Sequence, residues 1–186
     1  MLKRVIVLFL LVLLLAACGA AVERKDIGIR SFGSQEASVE EVRFRSGRFR
    51  VVGDLRMPAG EGPHPAIIMV HGDGAATRNG AAQFGPMIEI FLRNGYSVFS
   101  WDKPGSGEST GELDGGRKIT ERTQILADAI DVLVEHPQVD QDRIGLWGIS
   151  QAGWVMPKAL KSTDHVAFMI VVSGGAEDGF EQGGYM

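Results

Sequence analysis

Residues 143–154 of the chain read RIGLWGISQAGW. The apolar run at residues 144–147 is typical of a short strand, and it leads directly into a turn with Ser150 at its apex. Small residues on both sides of Ser150 allow a strand and a following helix to approach closely, in a strained backbone that pushes the serine hydroxyl outward. The stretch therefore predicts a strand, a sharp turn and a helix, and it marks Ser150 as a candidate nucleophile.

Apolar patterns on both sides of this turn alternate between strand and helix. An antiparallel hairpin is predicted over residues 39–58. Further strands are predicted over residues 66–70, 96–101, 144–147 and 166–173, the last as a buried strand. Helices are predicted over residues 86–93, 120–135 and 150–161. A hairpin followed by strict alternation of strands and helices predicts an α/β fold with a mostly parallel, doubly wound sheet.

Three loops that follow predicted strands carry unusual residues. They read HGDG from His71, DKPGSG from Asp102 and GISQAG from Gly148. In an open α/β sheet, ligands bind beyond the carboxyl ends of the strands. The three loops are therefore expected to meet at one site.

Together these motifs resemble the α/β-hydrolase superfamily, in particular esterases and serine aminopeptidases. The stretch from Gly148 to Ala152 resembles the nucleophile elbow, usually Gly-x-Ser-x-Gly, with alanine at its fifth position. His71-Gly72 after AIIMV resembles the oxyanion loop, WDKPGSGESTG resembles the loop after the next strand, and VDQDRIGLWG resembles the usual lead-in to the elbow. The resemblance covers about residues 40–175, with four motifs in the expected order.

The resemblance implies a role for several residues. Ser150 would be the nucleophile, and the backbone N–H groups of Gln151 and Asp73 would stabilise the oxyanion. The assignment of Gln151 also follows from its place before a helix, whose first amides have no partner within the helix. His71, Gly72 and Gly148 would shape the loops. The carboxylate of Asp73 would oppose catalysis if it pointed inward, so we expect it to point away.

No residue in the chain is expected to activate Ser150. In the resembling family the catalytic order is serine, acid, histidine, and His71 precedes the serine. His64 and His136 lie beside prolines and are predicted to be solvated. His165 starts the last predicted strand, at the end of the sheet opposite the Ser150 loop.

The resembling family takes its acid and histidine from loops after two further strands. Residues 39–186 are therefore expected to form the N-terminal part of a hydrolase domain, inactive alone, with an apolar strand edge exposed. The final EDGFEQGGYM lies where similar proteins begin a cap.

The N-terminus has the pattern of an export signal. Residues 1–17 combine a positive start with an apolar run too short to span a bilayer, and LAAC ending at Cys18 resembles a bacterial lipobox. Cys18 is the only cysteine in the chain, which an exported protein cannot use for an intramolecular disulfide. The pattern predicts a lipoprotein signal peptide, lipidation of Cys18, a tether over residues 18–38 and anchoring in the cell envelope. The alternative is a plain signal peptide with a bystander cysteine.

Charge and motifs exclude several partners. The formal net charge is −4 and no Lys/Arg run forms a basic stripe, so nucleic acid is not expected as a partner. No phosphate-binding Gly-rich motif precedes a helix, and His71 with Asp73 would be too few ligands for a metal. No cofactor or metal is expected.

Two function classes remain open. The first is a serine hydrolase that cleaves a carboxylic ester or amide of a small molecule or peptide. Ester cleavage is preferred, and thioester cleavage ranks last because an exported protein would not normally meet coenzyme A. The second is a non-catalytic, lipid-anchored surface protein that uses a hydrolase fold for binding.

Overall fold

The computed structural model describes residues 22–80 and 84–175. In this part of the chain seven strands form one mixed sheet. The strands are β1 (Glu23–Phe32), β2 (Gln35–Ser46), β3 (Phe49–Pro58), β4 (His64–Val70), β5 (Ser97–Trp101), β6 (Val139–Ile149) and β7 (Val166–Val172). Their spatial order is β1-β2-β3-β5-β4-β6-β7. In this spatial order, β1, β2, β3 and β5 pair antiparallel with their neighbours, and β5, β4, β6 and β7 pair parallel with theirs. This pairing confirms the prediction of a hairpin followed by parallel strands.

Three helices of the described residues cover the two faces of the sheet. They are α1 (Phe84–Arg93), α2 (Lys118–Val134) and α3 (Ala152–Ala159), and a 3₁₀ turn, Leu160–Ser162, follows α3. Alternate side chains of β4 face opposite layers, as the pleat of a strand requires: Ile67 packs in the cluster with α1, and Ile68 packs in the cluster with α2 and α3. Both isoleucines are 0% exposed. Each such side chain contributes about 1.5–3 kcal/mol on burial, so both layers hold the central strands in place.

The interpretation of residues 18–38 as a tether is wrong from residue 23 onward. Residues Glu23–Phe32 form β1, which pairs antiparallel with β2 along its length apart from one irregularity. Polar side chains cover both faces of β1, so the sequence lacks the alternation that marks a half-buried strand. Backbone pairing holds β1 at the edge of the sheet, together with ion pairs such as that between Arg24 Nε and Glu40 Oε1, which lie 3.7 Å apart. Residues 1–17 and Cys18 lie outside the described residues.

Strand β7 is exposed where the sequence predicts burial. Met169 and Val171 pack against the cluster that contains α3, but Phe168 and Ile170 on the opposite face are 39% and 41% exposed. That face carries α1, which packs mainly over β1, β2, β3 and β5 and leaves Phe168 and Ile170 uncovered. Within residues 22–80 and 84–175, β7 also has only β6 as a neighbour. An apolar composition therefore did not ensure burial, because no described element covers this corner of the sheet.

None of the described helices combines the length and the hydropathy that crossing a bilayer requires.

The exposed edge of β7 leads to a prediction about association. Residues 19–186 expressed alone should self-associate, because an unpaired apolar strand edge can pair with another chain. The double variant Phe168→Lys/Ile170→Lys should lower the weight-average mass, measured by sedimentation velocity, while the circular dichroism spectrum stays unchanged.

Ile29→Lys provides the matched control, since Ile29 is 66% exposed on β1 at the opposite edge, among charged residues that already disfavour pairing. It should leave the mass distribution as in the parent chain. A parent chain that is monomeric and unfolds in one cooperative transition would contradict the prediction.

Candidate active site

Ser150 lies in a strained turn between β6 and α3. Its φ angle is 54°, in the left-handed region that residues other than glycine rarely adopt. Two hydrogen bonds hold the turn: Ser150 N–H donates to the Val172 carbonyl at 2.9 Å, and Gly153 N–H donates to the Ser150 carbonyl at 2.9 Å. Ser150 is exposed at the carboxyl end of β6. The backbone thus presents this hydroxyl at the edge where parallel strands end.

The turn requires small residues because β6 and α3 almost touch. A Cβ at Gly148 would lie 2.6 Å from the Cβ of Ala152 and 2.9 Å from the sulfur of Met156. Ala152 is itself fully buried. The oxyanion-type loop also comes close, since a Cβ at Gly72 would lie 3.4 Å from the Cβ of Ser150. Larger residues at these glycines would separate the elements that meet at Ser150.

His71 is a buried, neutral part of the loop after β4. Its ring lies 4.9 Å from the Phe84 ring and 5.4 Å from the Trp101 ring, and its Nε2 lies 3.1 Å from the Thr77 carbonyl. Burial lowers the pKa of His71 to about 3, so the imidazole stays uncharged at neutral pH. With Nε2 donating to Thr77, the ring holds the loop together and does not offer that nitrogen to Ser150.

Asp73 carries its charge on the side facing α2. Its Oδ1 lies 2.9 Å from Nζ of Lys118, which with the Gly74 N–H lowers the pKa of the Asp73 carboxyl. The carboxylate is therefore ionised and bound to a helix residue.

Arg122, on α2, connects two of the predicted site loops. Arg122 is 5% exposed, and its guanidinium donates to the His71 carbonyl and to Oε1 of Gln151. Burial lowers the pKa of Arg122 to about 10, so the side chain remains charged at neutral pH. Arg122 was not among the site residues predicted from the sequence. A charged side chain on the buried stripe of α2, in helical register with Ile125 and Leu126, is the signal that could have found it.

Lys103 supports the same loop from the end of β5. Its Nζ donates to the Gly72 carbonyl at 2.8 Å and to the Gly74 carbonyl. Burial, followed by the charge of Arg122, lowers the pKa of Lys103 to about 8. Lys103 lies in one of the predicted site loops, but no role was predicted for it.

The far end of the loop after β4 is anchored by a separate ionic network. Asp102, 1% exposed, accepts hydrogen bonds from the Arg78 N–H at 2.7 Å and the Glu108 N–H at 2.9 Å. The Arg78 guanidinium lies 3.0 Å from Glu41 on β2 and 3.1 Å from Asp54 on β3. Buried multi-partner contacts of this kind fix the loop relative to the antiparallel strands.

A cavity of about 340 Å³ opens beside Ser150. Its walls are mostly small or apolar and comprise His71, Gly72, Asp73, Ala75, Ala76, Phe84, Ile149 and Ser150. The structure therefore brings together Ser150 and the predicted loop residues His71, Gly72 and Asp73. Gln151 and Gly148 lie beside them in the elbow.

The other histidines lie elsewhere. His165 lies within electrostatic range of Asp131 near the C-terminal end of α2, whereas Arg122 near the other end of α2 contacts Gln151. The prediction that His136 is solvated is wrong: its side chain is 3% exposed, with Nε2 3.3 Å from Glu40, because β2 covers this corner of the sheet. No three His, Cys, Asp or Glu side chains of the described residues cluster as a metal site would require.

Comparison with known sequences supports a hydrolase lineage. Residues 47–185 match the sequence model of the X-Pro dipeptidyl-peptidase (S15) family. The thiohydrolase aneE of Aspergillus aculeatus is 33% identical over 122 residues, covering 61% of this chain and 36% of that protein. The 2,6-dihydropseudooxynicotine hydrolase of Paenarthrobacter nicotinovorans is 30% identical over 99 residues, covering 53% of this chain and 25% of that protein.

Solved structures share the fold. An acetyl xylan esterase from Paenibacillus sp. R4 superposes with a TM-score of 0.65 at 17% identity, over 82% of this chain and 53% of that one. An esterase of Pyrococcus furiosus superposes with a TM-score of 0.60 at 22% identity, over 76% of this chain and 50% of that one. At these identities the likeness concerns the fold alone.

The chain spans about a third of the length of the thiohydrolase and about half the length of the two solved structures. The family match covers most of the chain and includes the Ser150 turn, the three site loops and the parallel strands. The chain belongs to the X-Pro dipeptidyl-peptidase (S15) family, within the α/β-hydrolase superfamily.

Proposed function

We propose that the protein is a serine hydrolase that cleaves carboxylic esters or amides, with Ser150 as the nucleophile. One observation carries the proposal: Ser150 is a serine held at φ 54°, exposed at a strand–helix turn beside a cavity. Residues other than glycine keep such a conformation only where the surroundings impose it, and they cluster at functional sites. In a member of a hydrolase family, this strain favours a nucleophile.

The proposed chemistry is acyl transfer through a covalent intermediate. Ser150 Oγ bonds to the substrate carbonyl carbon and gives its proton to a histidine, while the N–H groups of Gln151 and Asp73 stabilise the oxyanion. Collapse of the tetrahedral intermediate breaks the bond to the leaving alcohol or amine, which takes the proton. Water then releases the acyl group as a carboxylic acid. We assign the histidine and its acid to protein beyond the described residues, as the superfamily order of residues implies.

The substrate class is part of the proposal. The small residues Ala75 and Ala76 and the apolar Phe84 and Ile149 of the cavity suit a short apolar acyl group, and we therefore propose an ester of a short acid. The family favours an amide as the second candidate, and the thiohydrolase relative favours a thioester as the third. Rates with 4-nitrophenyl acetate, alanyl-prolyl-4-nitroanilide and an N-acetylcysteamine thioester would rank the three.

We also propose that the protein is exported and attached to a membrane through a lipid on Cys18. The apolar run and LAAC at the N-terminus support this, as does the lack of any second cysteine. Because β1 begins at Glu23, only four residues would separate the lipid from the sheet. A segment of that length spans at most about 14 Å, so the β1 edge would lie close to the membrane surface.

Replacement of Ser150 tests the proposed nucleophile. In the full-length gene product, Ser150→Ala should abolish labelling by a fluorophosphonate and lower kcat for 4-nitrophenyl acetate about 10⁴-fold or more, because no other group can form the acyl-enzyme. Labelling is read by mass spectrometry of the modified peptide. Residues 19–186 alone should label weakly or not at all.

Ser173→Ala is the matched control, since Ser173 is also exposed and also has a positive φ, 51°. It should keep wild-type labelling and rate. A full-length protein that neither labels nor hydrolyses any of the three substrates would support the binding-protein alternative instead.

Replacement of Cys18 tests the proposed anchor. Cys18→Ser should remove incorporation of a radiolabelled fatty acid and leave an unprocessed or unlipidated precursor, because a hydroxyl does not replace the acceptor thiol. Ala20→Ser, which adds the same hydroxyl two residues later, should label as the wild type does. Equal incorporation into the Cys18→Ser form would refute the anchor.

A further inference from the structure

Lys103 is a lysine buried beneath the loop that carries the proposed second oxyanion donor. Lys103 is 3% exposed. Its Nζ donates to the carbonyl oxygen of Gly72 at 2.8 Å and also to the carbonyl oxygen of Gly74. Buried lysines are rare, because an ammonium loses its hydration on burial. Here the acceptors are backbone carbonyls on either side of Asp73, so the charge acts directly on the peptide groups of this loop.

Peptide geometry relates the Gly72 carbonyl to the Asp73 amide. The two groups belong to one planar trans peptide, so the N–H points opposite to the C=O. An ammonium bound to the Gly72 oxygen therefore fixes the direction of the Asp73 N–H. It also withdraws electron density through the peptide, which makes that N–H a stronger donor.

We propose that Lys103 is a positioning residue for the oxyanion hole, holding and polarising the Gly72–Asp73 peptide so that its N–H stabilises the tetrahedral intermediate. This inference rests on the proposed serine-hydrolase function. Lys103 should therefore raise kcat, because the polarised N–H interacts most strongly with the charge that develops in the transition state.

Arg122 completes the arrangement from the other side of the loop. It donates to the His71 carbonyl, one peptide before the Gly72 carbonyl, and to the side chain of Gln151, which contributes the other donor. The two cations thus fix the relative position of the loop and the elbow.

The charge state of Lys103 gives the role a pH signature. The groups facing it are Arg122 and Lys118 from α2, which lower its pKa, and Asp73 from the loop, which raises it. With burial as the largest cause, the pKa of Lys103 is about 8. The ammonium is present below this pH and is lost as the pH rises through it, so kcat should fall on the alkaline side.

Steady-state kinetics of the full-length gene product with 4-nitrophenyl acetate test the proposal. Lys103→Met should lower kcat about 10- to 100-fold, less than the 10²- to 10³-fold typical of deleting a donor, with KM within about twofold. Lys103→Arg retains a cation, so it should keep more of kcat and should move the alkaline decline near pH 8 to higher pH. Lys161→Met, which removes one exposed lysine on the 3₁₀ turn, should match the wild type.

The outcomes separate this inference from the proposed function. Unchanged kcat in Lys103→Met, or a change confined to KM, would overturn the role of Lys103 while Ser150 labelling persists. If Lys103→Met does not fold, an alkaline decline in Lys103→Arg at the wild-type pH would overturn it. Activity that survives Ser150→Ala would overturn the proposed function, and the role of Lys103 with it.

Discussion

The contact between β6 and α3 at Gly148 is the constraint on which the carboxyl edge of the sheet depends. With no room for a Cβ at this position, the chain passes from strand to helix through one left-handed residue, Ser150. That conformation costs about 1–3 kcal/mol. Burial of Val155 and Met156, both 0% exposed, contributes about 1.5–3 kcal/mol each, so helix packing outweighs the strain. The hydrogen bonds of Ser150 with Val172 and Gly153 further stabilise the turn in this conformation.

Positive charge dominates the region between the loop after β4 and α2. Lys103 and Arg122 bind backbone carbonyls and an amide oxygen, not carboxylates. The negative charge of Asp73 acts on both, but its carboxylate is paired with Lys118. Buried cations of this kind are costly to keep, because burial removes their hydration. Their retention creates a potential suited to a developing negative charge, and the same bonds determine the shape of the loop.

Local patterns in the sequence predicted most of the elements near the site. The buried part of β6, the helix α2 and the turn at Ser150 all follow from apolar periodicity and small residues, which depend on neighbours in the chain. The features that the sequence predicted wrongly share another cause. Strand β1 has no apolar face, and Phe168 on β7 is apolar but uncovered, so each depends on what lies beside it in space. His136 is buried for the same reason.

The amino-acid sequence by itself determined the order of strands and helices from β2 onward, the need for a close strand–helix contact at Gly148, and the position of Ser150 at its turn. Only the tertiary structure decided that Lys103 binds the Gly72 carbonyl and that Arg122 joins His71 to Gln151. The physical reason is distance along the chain. Periodicity and glycine act through adjacent residues, whereas a long, flexible cationic side chain reaches whichever carbonyl the folding of remote segments brings within about 3 Å.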